Sequence, residues 1–168
     1  MHRVDLFRDR SSSKCHTWNL TILRYTKRNG GVMHSFIDFR NSRFLVNDID
    51  IWVFCGLINQ AARSSSMQAP EGVSELFDWW RESIETSGGG CIDLRLDEFL
   101  VDTNRVEYMC WLSNLALSTL SRIGPKISAE QLNDIVETPG CFRGERRSKD
   151  FEIIVKQFRS LLGCSTGV

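Results

Sequence analysis

The stretch RVEYMCWLSNLALSTLSRI, residues Arg105–Ile123, decides the fold that we predict for this chain. On a helix with 3.6 residues per turn, its apolar side chains cover roughly two thirds of the circumference and leave a narrow polar stripe. A helix that is apolar on most sides must be covered by several other elements. We therefore expect this helix to lie at the centre of the core. Trp111 is out of place, because it falls inside the polar stripe between Glu107 and Asn114.

The rest of the sequence predicts an α+β fold in one domain. Alternating apolar and polar residues predict an antiparallel sheet of about four strands, at residues 16–26, 31–39, 43–46 and 91–101. Asn29-Gly30 supplies the positive φ angles of a hairpin turn between the first two strands. Four to five helices are expected to pack on this sheet. They are predicted at residues 49–63, 70–85, 105–123, 128–137 and 151–162, with residues 1–14 and 163–168 frayed.

Some helix boundaries have recognisable signals, and one helix has an alternative. Asn47 is predicted to cap the helix at 49–63, although its Ile-Trp-Val-Phe run also fits a buried strand. Ser128 and Gln131 have the spacing of a capping box, and Asp150 is predicted to cap the last helix.

Composition and cysteine usage favour a cytoplasmic protein without a metal or cofactor. Apolar residues make up 42% of the 168 residues and charged residues 25%, as in ordinary globular proteins. No run approaches the ~20 apolar residues that span a bilayer, and the N-terminus lacks the apolar core of a secretory signal. The six cysteines form no Cys-x-x-Cys pair, so we expect reduced structural thiols, and the three histidines lack metal-ligand spacing.

The formal net charge is zero, but the charges are unevenly distributed along the chain. Residues 1–46 contain nine Lys or Arg and three Asp or Glu, whereas residues 47–111 contain four and twelve. The sequence therefore has a basic first third and an acidic middle. If the acidic middle forms one surface, it will repel nucleic acid and attract a basic partner.

Two tryptophans are the strongest functional candidates. Trp79 and Trp111 are each predicted to lie off the apolar face of a helix, with acidic residues at helical spacing. Exposed tryptophan is enriched among the residues that dominate binding energy at protein interfaces. The alternative is that each tryptophan contacts another element of the fold. The predicted partner-binding residues are Glu75, Asp78, Trp79, Glu82, Glu107 and Trp111.

Two other functions remain open. The first is a nucleic-acid-associated protein that uses the basic first third of the chain and the basic loop at residues 141–149, where Arg143, Arg146, Arg147 and Lys149 would contact phosphates. The second is an enzyme whose site is assembled from scattered residues. His16 and His34 are expected to approach each other across the first hairpin, but no nucleophile or metal motif accompanies them.

The size, the single domain, the absence of a catalytic motif and the expected free thiols resemble the bacterial immunity proteins of polymorphic or contact-dependent toxin systems. The resemblance is one of general character over the whole chain, so no residues carry over from that family. It implies a protein that binds and neutralises one cognate toxin domain, such as a basic nuclease. An acidic surface bearing tryptophan would then steer association and cover the toxin's active site.

Overall fold

A computed structural model describes residues 34–86 and 92–164 of the chain. These residues form helices and antiparallel strands, which confirms the α+β class. The elements are β1 (His34–Phe39), β2 (Ser42–Asn47), α1 (Asp48–Ser64), α2 (Val73–Thr86), α3 (Leu96–Phe99), α4 (Thr103–Ile123), β3 (Lys126–Ile127), α5 (Ala129–Ile135), β4 (Arg146–Arg147) and α6 (Ser148–Leu162).

The predicted central helix is α4, and its amphipathic sequence explains its position. Met109, Leu112, Ala116 and Leu120 have no exposed surface, because α4 packs most extensively against α6 and α1. The Asp102 side chain accepts a hydrogen bond from the Arg105 N–H at 2.9 Å and caps the first turn. The prediction of a buried helix over Arg105–Ile123 is therefore confirmed.

The strands form two small sheets instead of one. β1 and β2 pair as an antiparallel hairpin, and β3 and β4 pair two residues each. The strands predicted at 31–39 and 43–46 are confirmed where they are described, whereas the strand predicted at 16–26 lies outside the described residues. A sheet of about four strands is wrong for the part of the chain that the structure covers.

The strand predicted at 91–101 is also wrong. Ile92, Leu94 and Leu96 are buried as their alternation suggested, but among the described residues the segment has no partner strand, and it turns into the short helix α3. Arg95 breaks the extended conformation, because it adopts a left-handed φ of 48°. In place of a neighbouring strand, two tryptophan side chains donate hydrogen bonds to the backbone of this segment. The indole N–H groups of Trp79 and Trp80 donate to the carbonyl oxygens of Asp93 and Leu94, each at 3.0 Å.

The remaining helices form where the sequence predicts them, but several ends differ: α2 begins at Val73 instead of residue 70, and α5 ends at Ile135 instead of residue 137. α1 begins after Asn47, whose side chain accepts from the Ile49 N–H at 3.0 Å, so the helical interpretation is confirmed. The capping box of Ser128 and Gln131 is present at the start of α5. The predicted start of the last helix is wrong: Arg147 is the residue before α6, and Asp150 lies in its first turn, where it pairs with Arg147 at 2.9 Å.

The prediction that the cysteines are reduced is wrong for three of them. Cys110 on α4 and Cys164 after α6 form a disulfide, with their Cα atoms 5.6 Å apart, and Cys141 is also disulfide-bonded. Cys55 is a free thiol in the core, where burial raises its pKa above the ordinary range. The disulfide also shows that the chain is not frayed at Cys164, whereas residues 165–168 lie outside the described part.

None of the helices in the two described ranges has both the length and the apolar character needed to cross a membrane.

Candidate partner-binding site

One face of α4 separates two surface clefts. Glu107 and Trp111, one helical turn apart, line both of them. Trp111 is partly buried and packs against the core, while Glu107 is exposed. The sequence placed Trp111 in a polar stripe of α4. In the structure, this position puts the indole of Trp111 between two concave surfaces.

The first cleft, which we call the α4–α6 cleft, has a volume of about 450 Å³. Its walls come from the β1–β2 turn, from α4 and from the end of α6, and the Cys110–Cys164 disulfide forms part of the lining. The lining residues are Arg40, Thr103, Val106, Glu107, Cys110, Trp111, Asn114, Arg159, Leu162, Gly163 and Cys164.

The second cleft, which we call the loop cleft, has a volume of about 530 Å³ and lies between α4 and the loop at residues 67–71. Met67 is 48% exposed at this site, and Glu71 adds a carboxylate to that of Glu107. Tyr108 forms the inner wall with its ring centroid 6.0 Å from that of Trp111, and burial raises the pKa of its phenol. The loop cleft is therefore acidic at its rim and aromatic on the α4 side.

Trp79 occupies a different environment. Its indole N–H donates to the Asp93 carbonyl, and the guanidinium of Arg95 lies 4.5 Å from its ring centroid. Arg95 is in turn paired with Glu98. Trp79 therefore contacts another element of the fold through its N–H and one ring face, as the alternative interpretation of the sequence proposed. Its role in binding a partner stays a prediction.

The acidic residues predicted on α2 lie exposed on the surface of that helix. Asp78 pairs with Arg81 at 3.0 Å, while Glu75 and Glu82 have no ion pair among the described residues. Hydrogen bonds from its own backbone N–H and from the Ser74 hydroxyl keep the pKa of Glu75 below the usual range. Of the six predicted site residues, only Glu107 and Trp111 share a cleft lining. The four on α2 line neither cleft.

The basic loop is partly neutralised within the fold. Arg146 pairs with Asp50 of α1, and Arg147 pairs with Asp150. Arg143 and Lys149 are exposed, and neither has a hydrogen bond or an ion pair with another described residue. The four cations therefore do not form one patch of unpaired charge.

Of the two histidines considered for catalysis, the structure describes His34, which is exposed on β1 and lines neither cleft. The free thiol of Cys55 is buried in the core. His16 lies outside the described residues. Within the ranges 34–86 and 92–164, no group of three or more His, Cys, Asp or Glu is arranged to hold a metal ion.

Sequence reasoning missed two residues of the α4–α6 cleft, Arg40 and Arg159. Nothing in the sequence connects them, because one lies in a hairpin turn and the other in the last turn of a helix 119 positions later. Comparisons with protein-family models, with curated proteins and with solved structures found no match to this chain.

Proposed function

We propose that this protein is a binding module that engages another protein through Trp111 and the two clefts beside it. The observation that carries the proposal is the position of Trp111 as the shared wall of two concave surfaces. A partly buried tryptophan that lies between two concave surfaces with polar and apolar lining residues matches the anchor residues of protein interfaces. Two side chains of a partner would enter the clefts on either side of the indole.

The specific form of the proposal is neutralisation of a cognate toxin domain, as the resemblance to immunity proteins implies. The exposed carboxylates of Glu75 and Glu82 on α2, with Glu71 and Glu107 at the loop cleft, favour a partner that is basic over most of its surface. The acidic residues would raise the association rate, and Trp111 would supply affinity.

The compartment is part of the proposal, and the cysteines weigh against the cytoplasmic prediction. The expectation of reduced thiols followed from that predicted compartment. Disulfides persist mainly in oxidising compartments, so the Cys110–Cys164 bond favours an extracytoplasmic site of action. Binding of a toxin outside the cytoplasm would be consistent with both the proposed function and the presence of a disulfide.

The test begins with affinity capture of a partner in the presence of nuclease, followed by affinity measurements with the purified pair. Replacing Trp111 with Ala should weaken binding by ~2 kcal/mol or more, or about 30-fold, if the indole is an anchor. Ser118→Ala is the matched control, because Ser118 is exposed on the same helix and lines neither cleft. Equal affinities of the Trp111→Ala and Ser118→Ala variants would remove Trp111 from the interface.

Trp79→Ala tests the predicted α2 surface separately. A loss of affinity without unfolding would extend the interface to α2. The nucleic-acid alternative predicts retention on DNA or RNA that weakens steeply with salt and depends on Arg143 and Lys149. No salt-sensitive retention at low ionic strength would exclude it.

A further inference from the structure

One face of α4 supplies most of the polar and aromatic lining of the loop cleft. Four lining residues recur on this face at helical spacing: Asn104, Glu107, Tyr108 and Trp111. The loop at residues 67–71 forms the opposite wall and contributes Glu71. Among the described residues of this lining there are two carboxylates and no Lys, Arg or His. The charge of the loop cleft therefore favours a cation.

Both carboxylates are available to a ligand. Glu71 and Glu107 are exposed, and neither has a hydrogen bond or an ion pair with another described residue. A cation does lie beside the loop, but its charge is compensated elsewhere. The guanidinium of Arg105 donates to the Phe99 carbonyl at 2.9 Å and pairs with Asp102 at 3.2 Å. It therefore leaves the charge of the two glutamates in the cleft unpaired.

Tyr108 gives independent evidence that the loop cleft receives a polar group. Its side chain is only 4% exposed, yet its hydroxyl has no hydrogen-bond partner in the part of the chain that the structure describes. The one fully enclosed side-chain oxygen without a partner in that part belongs to Asp48. The Tyr108 hydroxyl therefore keeps some exposed surface, which opens into the cleft that the residue lines. A nearly buried hydroxyl needs a hydrogen-bond partner, and a ligand with an N–H donor would supply it.

The fold fixes the loop against α4. Gly72 follows the loop with a positive φ of 84°, and a Cβ there would lie 2.8 Å from Nη1 of Arg105, the second residue before Glu107 on the chain. The loop is also held at both ends by hydrogen bonds. The Met67 N–H donates to the Ser65 hydroxyl at 2.8 Å, and the Val73 N–H donates to the Pro70 carbonyl at 3.2 Å. The two walls of the cleft are therefore positioned before a ligand arrives.

We propose that the loop cleft binds a guanidinium group. Glu71 and Glu107 pair with its charge, and Trp111 contacts its flat face. The Tyr108 hydroxyl accepts one of its N–H groups. A guanidinium fits this set better than an ammonium, because it is planar, stacks on aromatic rings and directs five N–H donors outward in one plane.

Two sources supply a guanidinium: an arginine side chain of a basic protein partner, or a small guanidinium compound. The first source rests on the proposed function, whereas the chemistry of the cleft does not. The volume of about 530 Å³ lies within the range of small-ligand sites and also accommodates one long side chain.

The test uses Nα-acetyl-arginine amide as the probe and the indole N–H resonance of Trp111, assigned with the Trp111→Phe variant, as the readout. Titration of the full chain should shift this resonance saturably. The citrulline counterpart has nearly the same shape without the charge, so it should bind at least ~10-fold more weakly. The absence of a saturable shift with the arginine probe, or equal affinities for the two probes, would overturn the proposal.

Two variants test the carboxylates independently. Glu71→Gln and Glu107→Gln should each weaken binding of the arginine probe by ~3-fold, because each removes one exposed ion pair. Glu82→Gln is the matched control. Glu82 is exposed on α2, lines neither cleft and should leave the affinity unchanged when replaced. Wild-type affinity in both cleft variants would overturn the assignment of the cation to Glu71 and Glu107.

Tyr108→Phe separates binding from stability. The variant keeps the ring and loses the hydroxyl, so it should weaken binding of the arginine probe by ~3-fold. Its urea midpoint should match that of the wild type, because the hydroxyl has no hydrogen bond to lose within the described fold. Wild-type affinity for the probe would remove the hydroxyl from the site.

A competition experiment distinguishes this proposal from the proposed function. If the arginine probe displaces a captured protein partner, the partner inserts the guanidinium. If the probe binds but Trp111→Ala leaves partner affinity unchanged, the proposed interface fails while the loop cleft stands as a small-cation site. If the probe does not bind but Trp111→Ala weakens the partner, the guanidinium proposal fails and the proposed function stands.

Discussion

Removing the Cys110–Cys164 disulfide should destabilise the protein strongly. The bond joins α4 to the residue just after α6 across a sequence separation of 54 residues. In the chain-entropy treatment of cross-links, a loop of this length restricts the unfolded chain by about 4 kcal/mol at 25 °C. The double variant Cys110→Ser/Cys164→Ser should therefore unfold at a lower urea concentration. With a urea dependence of about 2 kcal/mol per molar, the midpoint should fall by about 2 M.

The assay is urea unfolding followed by far-UV circular dichroism, with the oxidised wild type and the serine variants compared at one pH. The single variants provide an internal control. Each breaks the same bond, so each should lose nearly as much stability as the double variant, and the effects should not add. A double variant within about 0.5 kcal/mol of the oxidised wild type would refute the argument that the cross-link constrains the unfolded chain.

Two further predictions concern the core and pH. Gly56→Ala should destabilise the protein by about 1–3 kcal/mol, because a Cβ there would lie 3.0 Å from the Ile135 carbonyl carbon and closer still to its oxygen. Gly144→Ala, where a Cβ meets nothing within 4 Å, should change stability by less than about 0.5 kcal/mol in the same urea assay. Burial raises the pKa of Asp50 more than its pairing with Arg146 lowers it. Since the folded state then binds a proton more tightly than the unfolded state, the stability of the wild type relative to Asp50→Asn should fall as pH rises from about 3.9 through the raised pKa. Equal pH slopes for the two proteins, measured by thermal unfolding, would contradict this pKa shift.

The helices could be predicted because their signals are local. The amphipathic spacing of α4 and the capping box of Ser128 and Gln131 depend on residues within one or two turns of each other. The segment at 91–101 shows what such signals leave out. The alternation of apolar and polar residues correctly identified Ile92 and Leu94 as buried. Such alternation indicates which side chains are buried, but it does not indicate which groups form hydrogen bonds with the backbone.

The prediction of reduced cysteines was wrong for a different reason. The inference of reduced thiols used the expected compartment and the irregular spacing of the cysteines along the chain. A disulfide requires proximity in space, and Cys110 meets Cys164 only because α4 and α6 pack side by side. Arg40 and Arg159 in the α4–α6 cleft were missed for the same reason. Each comes from an element whose position depends on the finished packing.

Trp79 and Trp111 have the same pattern in the sequence but different surroundings in the structure. Both tryptophans lie off the apolar face of their helices, and both were predicted to bind a partner. The extended segment before α3 packs beside Trp79, accepts its indole N–H and places Arg95 over its ring. No comparable segment covers Trp111 in the described part of the chain, and the surface on either side of it is concave. An out-of-phase aromatic residue therefore indicates a binding site where the neighbouring elements leave space around the ring. By that criterion Trp111 is the better candidate for the proposed interface.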